Sequence, residues 1–322
     1  MGGWDLWSQR IRRQLIVADI SSRKELDLPF GANCGEFSTL TLGVSMSERE
    51  TGEGKLLYPD LSYEVIGCAM EVHRELGPGQ VEAFYHQALR KALEARGFSC
   101  ESKLRGRLIH RGMRADSFEA DLLVEDKLFL ELKAMLGGFI ADNYTQLICY
   151  LHFWNKALGL LLNFGQESLV QERVPYTRRP VDVHGHGIDS YFSGLATQNR
   201  NLAARLVDAI TRINEKYGTA YRDTTYLGLL RAELLAEDIP CELNPLAPLH
   251  YANMNLGMGQ LPCLLVDQRC MLRVHALYDH LPTTHHAVAR AYTRHLEVPF
   301  GLIVNFGRTA CDIFPVRDTT TT

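Results

Sequence analysis

Asp121, Glu131 and Lys133 interrupt an otherwise largely apolar stretch, FEADLLVEDKLFLELKA, at residues 118–134. Two runs rich in Leu, Val and Phe, separated by Glu125, Asp126 and Lys127, read as an antiparallel hairpin with a three-residue connection. Side chains alternate along a strand, so Glu131 and Lys133 share a face. If Val124 stands opposite Leu128, Asp121 stands opposite Glu131 and joins that face. The face then carries Asp121, Leu123, Phe129, Glu131 and Lys133, while Ala120, Leu122, Val124, Leu128, Leu130 and Leu132 make the other wholly apolar. Two carboxylates so placed repel unless something positive lies between them. A lysine helps. A hard divalent cation such as Mg²⁺ satisfies them better, because it keeps several waters and binds phosphate oxygens at its remaining positions. The plain alternative is a ladder of surface ion pairs on a half-exposed hairpin.

Other residues extend the set. Glu82 precedes Tyr85 by three positions and shares its helix face, and Gln146 and Tyr150 form a similar polar pair on a later helix. Lys103, Arg105 and Arg107 alternate along one face of an extended segment, with Arg111 and Arg114 beyond. Such a strip either meets phosphates or is a solvated edge that discourages aggregation. Two histidines in VHGHG, residues 183–187, belong to a Gly-rich linker and read as solvent-exposed rather than metal-binding. LGPG, residues 76–79, lacks the Lys-Ser/Thr ending of a phosphate loop and reads as a helix break. THH, residues 284–286, begins a helix and is assigned no chemistry.

The elements that must position these residues follow from periodicity. From Leu61 a helical pattern runs through Val65, Ile66, Ala69, Met70, Val72 and His73. A second helix is expected over about 81–96, then the extended segment and the hairpin, a helix over 141–155 and a buried strand over 157–165. The order is helix, three strands, helix, strand.

Beyond residue 200 the chain repeats itself. LEARGFSCE at 93–101 is echoed by LLAEDIPCE at 234–242, Tyr85 by Tyr226, and NFG at 163–165 by NFG at 305–307. Gly77/Gly218, Cys100/Cys241, Val124/Val266, Tyr150/Tyr292 and Gly159/Gly301 also match, so two tandem copies of one fold are expected. In the second copy Glu82 becomes Asp223, but Asp121, Glu131, Lys133 and Gln146 become Cys263, Arg273, His275 and Val288. The apolar frame survives while the charge constellation does not, and an Arg at a ligand position repels a cation.

The order αβββαβ, with an acid on the first helical region and D…ExK on the second and third strands, resembles the PD-(D/E)XK nuclease superfamily. More closely, GQVEAFY at 79–85 is similar to the signature of its bacterial GxxExxY family, and LGPG, ADLLVEDKLFLELKA, QLICYL and LLLNFG resemble further landmarks of that family. Ala120 replaces the usual proline before the first strand acid. The resemblance implies Mg²⁺-dependent phosphodiester hydrolysis, with Mn²⁺ as a substitute and DNA or RNA as partner. It implies that Asp121 and Glu131 bind the metal directly, Glu82 supports it through water, and the Leu132 carbonyl completes the shell. Lys133 then positions the attacking water and Gln146 orients water or phosphate. Tyr85 and Tyr150, beside Glu82 and Gln146, and the basic strip Lys103, Arg105 and Arg107 are the expected substrate contacts.

The 322 residues, 46% hydrophobic and 22% charged, suit a globular protein of two domains, and the resemblance implies that both are α/β with restriction-endonuclease-like architecture. The expected organisation is an irregular extension at 1–56, a nuclease-like domain at 57–176, a linker at 177–200, a degenerate copy at 201–317 that packs on the first as a pseudo-dimer, and a tail at 318–322. A net charge of −4 gives no global basic field, so any nucleic-acid site is a local patch. No apolar run suits a bilayer and no secretion signal is evident, which points to the cytoplasm. The eight cysteines are scattered without a CxxC pair, which suits free thiols and offers no structural zinc site. A non-catalytic nucleic-acid-binding or protein-interaction module that retains the fold is the rival reading.

Overall fold

The computed structural model describes residues 56–316 apart from 253 and 278–280; residues 1–55 of the expected extension and the 318–322 tail lie outside them. Helices α1 (Pro59–Leu76) and α2 (Glu82–Ala95) precede β1 (Cys100–His110), β2 (Met113–Val124) and β3 (Leu128–Lys133). Helix α3 (Ala141–Phe153) leads to β4 (Leu158–Asn163) and β5 (Val170–Pro175). The strands form one sheet in the order β1-β2-β3-β4-β5. Only β3 and β4 run parallel, and α3 is the crossover such a pair requires. The expected αβββαβ order is therefore present, with α1 and β5 added.

Leu122 pairs with Leu130 and Val124 with Leu128, which is the register that the apolar pattern demanded. Leu122, Val124, Leu128, Leu130 and Leu132 pack against Val65, Ala69 and Val72 of α1 and Tyr85, Leu89 and Leu93 of α2. Each such fully buried side chain stabilises the fold by about 1.5–3 kcal/mol. The opposite face is covered too. Leu123 and Phe129 join a second core with Leu147 and Tyr150 of α3, so the charged residues do not form a ladder on an open surface.

The second copy uses the same parts. The segment read as a linker carries a strand, β6 (Asp182–Gly185), and a short helix, α4 (Ile188–Ser193). Helices α5 (Thr197–Tyr217) and α6 (Asp223–Ala236) follow, then β7 (Cys241–Leu243), β8 (Leu246–Tyr251), β9 (Met254–Gln260), β10 (Leu264–Val266), β11 (Cys270–His275), α7 (Thr283–His295), β12 (Phe300–Phe306) and β13 (Ala310–Pro315). The sheet order is β6-β13-β12-β11-β10-β7, and β11–β12 is parallel like β3–β4. The long hairpin of the first copy is broken here into β7/β10 and a separate β8/β9 pair. Pro262, between β9 and β10, cannot donate to a ladder and interrupts the strand.

Helix α6 serves both halves. Tyr226, Leu229, Leu230 and Leu234 join the core that also holds Phe118 and Leu123 of the first sheet. Glu233 of α6, 1% exposed, receives the Arg111 guanidinium at 2.8 and 3.0 Å, Arg212 at 2.8 Å and His110 Nε2 at 2.6 Å. These bonds, led by that from Arg111, outweigh burial and hold the Glu233 carboxyl down to about 2. Its stabilising contribution is therefore present above its ordinary range and is lost only as pH falls through about 2. Thr225 donates to Asp116, and a Cβ at Gly228 would stand 2.2 Å from the Ala115 carbonyl oxygen. Gly228→Ala should therefore push α6 off the β1–β2 hairpin and lower stability by about 1–3 kcal/mol in urea denaturation. An unchanged midpoint would argue against this contact.

Candidate active site

Glu82 opens α2, where the helix dipole favours a carboxylate. The turn before it is stapled by Tyr85, whose hydroxyl donates to the Gly77 carbonyl at 2.6 Å and accepts from the Gln80 amide at 3.1 Å. The Tyr85 ring is fully buried and stacks on Phe164 at 4.7 Å. This corrects the expectation that Tyr85 contacts substrate: a ring with no exposed surface cannot do so. It holds the loop that presents Glu82.

On the sheet, Asp121 and Glu131 are 6% and 1% exposed. Asp121 Oδ2 accepts the Leu132 amide at 2.9 Å across the hairpin, and Oδ1 accepts Lys103 Nζ at 2.6 Å. Lys133 Nζ donates to Glu131 Oε1 at 2.5 Å and stands 4.0 Å from Glu82 Oε2. Glu82, Glu131 and Lys133 thus meet, with Asp121 joined through the hairpin. The three carboxylates are nevertheless not drawn into one tight ligand set. Among the described residues, the group of three metal-ligating side chains with all donor atoms within 4.8 Å of one another is His184, His186 and Asp312.

The electrostatics favour a cation. Burial, then the charge of Asp121, pushes the Glu131 carboxyl up to about 7 against the opposing pull of Lys133. Burial also raises Glu82, partly offset by Lys133. Glu131 Oε2 is buried without a hydrogen-bond partner. An orphaned carboxylate oxygen beside a second buried acid is a donor set that suits a hard divalent ion.

Lys103 is the residue whose role the sequence pattern missed. Ser102 pairs with Leu122 and Leu104 with Ala120, so Lys103 lies opposite Asp121. Its φ of 51° is left-handed in mid-strand, a conformation of order 1–3 kcal/mol above the ordinary one. Burial lowers its pKa, but the hydrogen bond and charge of Asp121 reverse this to a net rise. Two further staples also escaped pattern reading. His86 Nε2 donates to the Asp121 carbonyl at 3.0 Å, and the Asn163 side chain accepts from the Met135 amide at 2.9 Å and donates to the Gly137 carbonyl at 2.9 Å, holding the chain that leaves Lys133.

The remaining expected residues divide. Gln146 Nε2 donates to the Tyr150 hydroxyl at 2.8 Å. Tyr150 is only 6% exposed, and burial followed by the Glu131 charge raises its pKa well above the usual value. Tyr150, expected to contact substrate, supports Gln146 and neighbours Glu131. Arg105 pairs with Glu119 at 2.8 Å on an exposed strand face, and Arg107 is exposed beside it. Arg111 is spent on Glu233 between the two halves rather than on the strip.

In the second copy Cys263 is fully buried, and burial pushes its thiol up to about 12. Arg273, opposite it in register, lies over the Tyr292 ring at 5.2 Å and donates to the His285 carbonyl at 3.3 Å. His275 Nε2 is 3.3 Å from His285 Nδ1, and burial lowers His275 to about 3. Tyr226 keeps the staple of Tyr85: its hydroxyl donates to Gly218 at 2.7 Å and its ring stacks on Phe306 at 3.9 Å.

A sheet with one parallel pair, crossed by a helix and bearing D…ExK on adjacent strands, defines a nuclease-type α/β domain. The family model of the PD-(D/E)XK nuclease superfamily matches residues 59–175 and again 200–313, and the chain belongs to that superfamily. The two matched regions coincide with the two restriction-endonuclease-like copies. Neither the curated proteins nor the solved structures contain a match to this chain. Proteins of this superfamily are generally divalent-metal dependent, and among the described residues no helix is long and apolar enough to cross a membrane.

Two outcomes follow from this geometry. Folded Glu131 titrates near 7 against 4.5 for an unperturbed group, so metal-free stability should fall as pH rises across that window. Mg²⁺ needs the ionised carboxylate, so its thermal stabilisation should grow toward about pH 7, level off above it, and vanish in Glu131→Gln and Asp121→Ala. Scanning fluorimetry at several pH values reads both, and a flat or mutation-insensitive response would remove the proposed ligands. Lys103→Met keeps the strained backbone but leaves Asp121 unneutralised. It should lower metal-free stability by about 1 kcal/mol and enlarge the Mg²⁺ shift.

Proposed function

We infer that the first copy is a divalent-metal-dependent nuclease of the GxxExxY type, hydrolysing phosphodiester bonds in DNA or RNA. The observation that carries this reading is the buried, unpartnered Glu131 oxygen beside Asp121 and Lys133 in a chain of the nuclease superfamily. Asp121 and Glu131 hold the ion directly, and Glu82 supports it from the start of α2. Mg²⁺ is the ion of choice and Mn²⁺ a substitute. When bound, the ion supplies Lewis-acid polarisation of the phosphate and a more acidic water.

This chain's own residues do the rest. Lys133, which donates to Glu131 beside Asp121, would present its ammonium to the attacking water and to the charge developing on the phosphate. Gln146, fixed by Tyr150, orients water or a phosphate oxygen. Arg107, with Arg105 and Lys103 on the same strand face, guides the nucleic-acid backbone.

The second copy is catalytically silent. Arg273 and Cys263 replace the two acids, and a guanidinium in that position repels a divalent cation. It serves as a pseudo-dimer partner that braces the β1–β2 hairpin through α6, a role supported by the Arg111–Glu233 and Thr225–Asp116 bonds. The domain organisation is 57–176 and 201–317, joined by 177–200, of which Asp182–Gly185 adds an edge strand to the second sheet. Free thiols at Cys68, Cys100, Cys149, Cys241, Cys263, Cys270 and Cys311 suit the reducing cytoplasm of a bacterium.

Incubating plasmid, single-stranded DNA and RNA with Mg²⁺ or Mn²⁺ tests the assignment. Wild type should cleave at least one of them, and Lys133→Ala should lose about 10²–10³-fold in rate. Arg273→Ala should leave the rate unchanged. Equal cleavage by wild type and Lys133→Ala would identify a contaminant, whereas binding without cleavage would favour the non-catalytic module.

A further inference from the structure

His184 lies in β6 and His186 one residue past its end, where its amide still donates to the Ile313 carbonyl at 2.9 Å and continues the pairing with β13. The neighbouring strand supplies a third donor. β6 pairs in parallel with β13, and Asp312 is the register partner of His184. Asp312 Oδ1 lies 2.7 Å from His186 Nε2 and 3.6 Å from His184 Nδ1, and all three donor atoms fall within 4.8 Å of one another. Ligand atoms about 2.0–2.2 Å from a tetrahedral ion stand roughly 3–3.5 Å apart, so small side-chain adjustments close this set.

The surroundings hold the donors in place. The His186 ring stacks on Phe314 at 4.4 Å and 8°, which fixes its plane. Gly185, between the two histidines, lets the Ile188 side chain of α4 pack close against the strand: a Cβ there would stand 2.3 Å from the Ile188 terminal methyl. Since β6 is an edge strand and both histidines are exposed, the donors are open to solvent.

We propose that His184, His186 and Asp312 bind a zinc-class divalent ion that clips the segment between the two copies onto the edge of the second sheet. Two imidazoles and one carboxylate select a borderline transition metal over Mg²⁺, which prefers oxygen donors and retains its waters. Three protein ligands leave a fourth position for water. The ion ties a strand of four residues, the only part of 177–187 in the sheet, to β13 by bonds far less labile than one short ladder. The site is separate in residues and in donor chemistry from the acids around Glu131.

The test uses untagged full-length protein stripped with a chelator and titrated with Co²⁺ in excess Mg²⁺. One equivalent should give the visible absorption of four-coordinate Co²⁺, displaced by Zn²⁺, and Asp121→Ala should retain it. His184→Ala, His186→Ala and Asp312→Asn should each weaken binding by about 10²-fold or more, direct ligands being worth at least as much as the partners that orient them. Both histidines are exposed and Asp312 is half-buried, and near-UV dichroism checks that each variant is folded. Zn²⁺ should also slow proteolysis within 177–187 in wild type and not in His186→Ala. No saturable four-coordinate spectrum, or one that persists in the histidine variants, overturns the site. A spectrum without protection of 177–187 overturns the clip. Loss of nuclease activity bears on neither result, so the two assignments fail separately.

Discussion

Keeping an acidic side chain out of water at Glu131 is the constraint around which the first copy is arranged. Removing a carboxylate from water is opposed by several kcal/mol unless partners replace its hydration. Here one oxygen has the Lys133 ammonium and the other has none, while Asp121 stands across the hairpin. Helix α2 begins where it delivers Glu82, and β1 is strained where it delivers Lys103. The first copy therefore relies on two lysines, Lys103 and Lys133, as internal counter-ions.

The tandem copies separate architecture from chemistry within one molecule. Tyr85 and Tyr226 make the same bond to a glycine carbonyl and stack on Phe164 and Phe306 in the same way. Asn163 and Asn305 both secure the chain leaving the third core strand. What both copies keep is thus what the fold needs to present a helix start and two strands. The strand acids occur only in the first copy, whereas the acid that opens the helix is kept as Asp223. Where they are missing, Arg273 fills the space over an aromatic ring and the thiol of Cys263 stays protonated in the core. The second copy has also specialised for contact: Gly228 and Thr225 let α6 approach the β1–β2 hairpin closely. The first-copy helix presents Phe84 and Gln87 to solvent at the matching positions.

The hairpin was legible because a period of two and one unbroken apolar face leave a single register, and that register carries the acids with it. Element order was legible for the same reason: long periodic segments with clear breaks. Depth was not. Tyr85 and Tyr150 share helix faces with Glu82 and Gln146, but spacing does not tell whether a ring ends in the core or at the surface. Lys103 looked like one of three outward basic residues, and only the pairing of β1 with β2 sets it opposite Asp121. Residues 177–187 read as a linker because glycines and polar residues dominate, although four of them complete a sheet edge.

Periodicity, the internal repeat and the D…ExK spacing by themselves determined the αβββαβ core, its duplication and the loss of the strand acids in the second copy. These are local or in-register properties, set by which residues alternate along one strand or recur along one helix. The pairing of Lys103 with Asp121, the bracing of Arg111 by Glu233 and the meeting of His184 and His186 with Asp312 were decided by tertiary structure alone. Each joins a residue to a partner on another element, in two cases more than a hundred positions away. Their spacing in the chain carries no signal, because proximity there is set by which cores the sheets share.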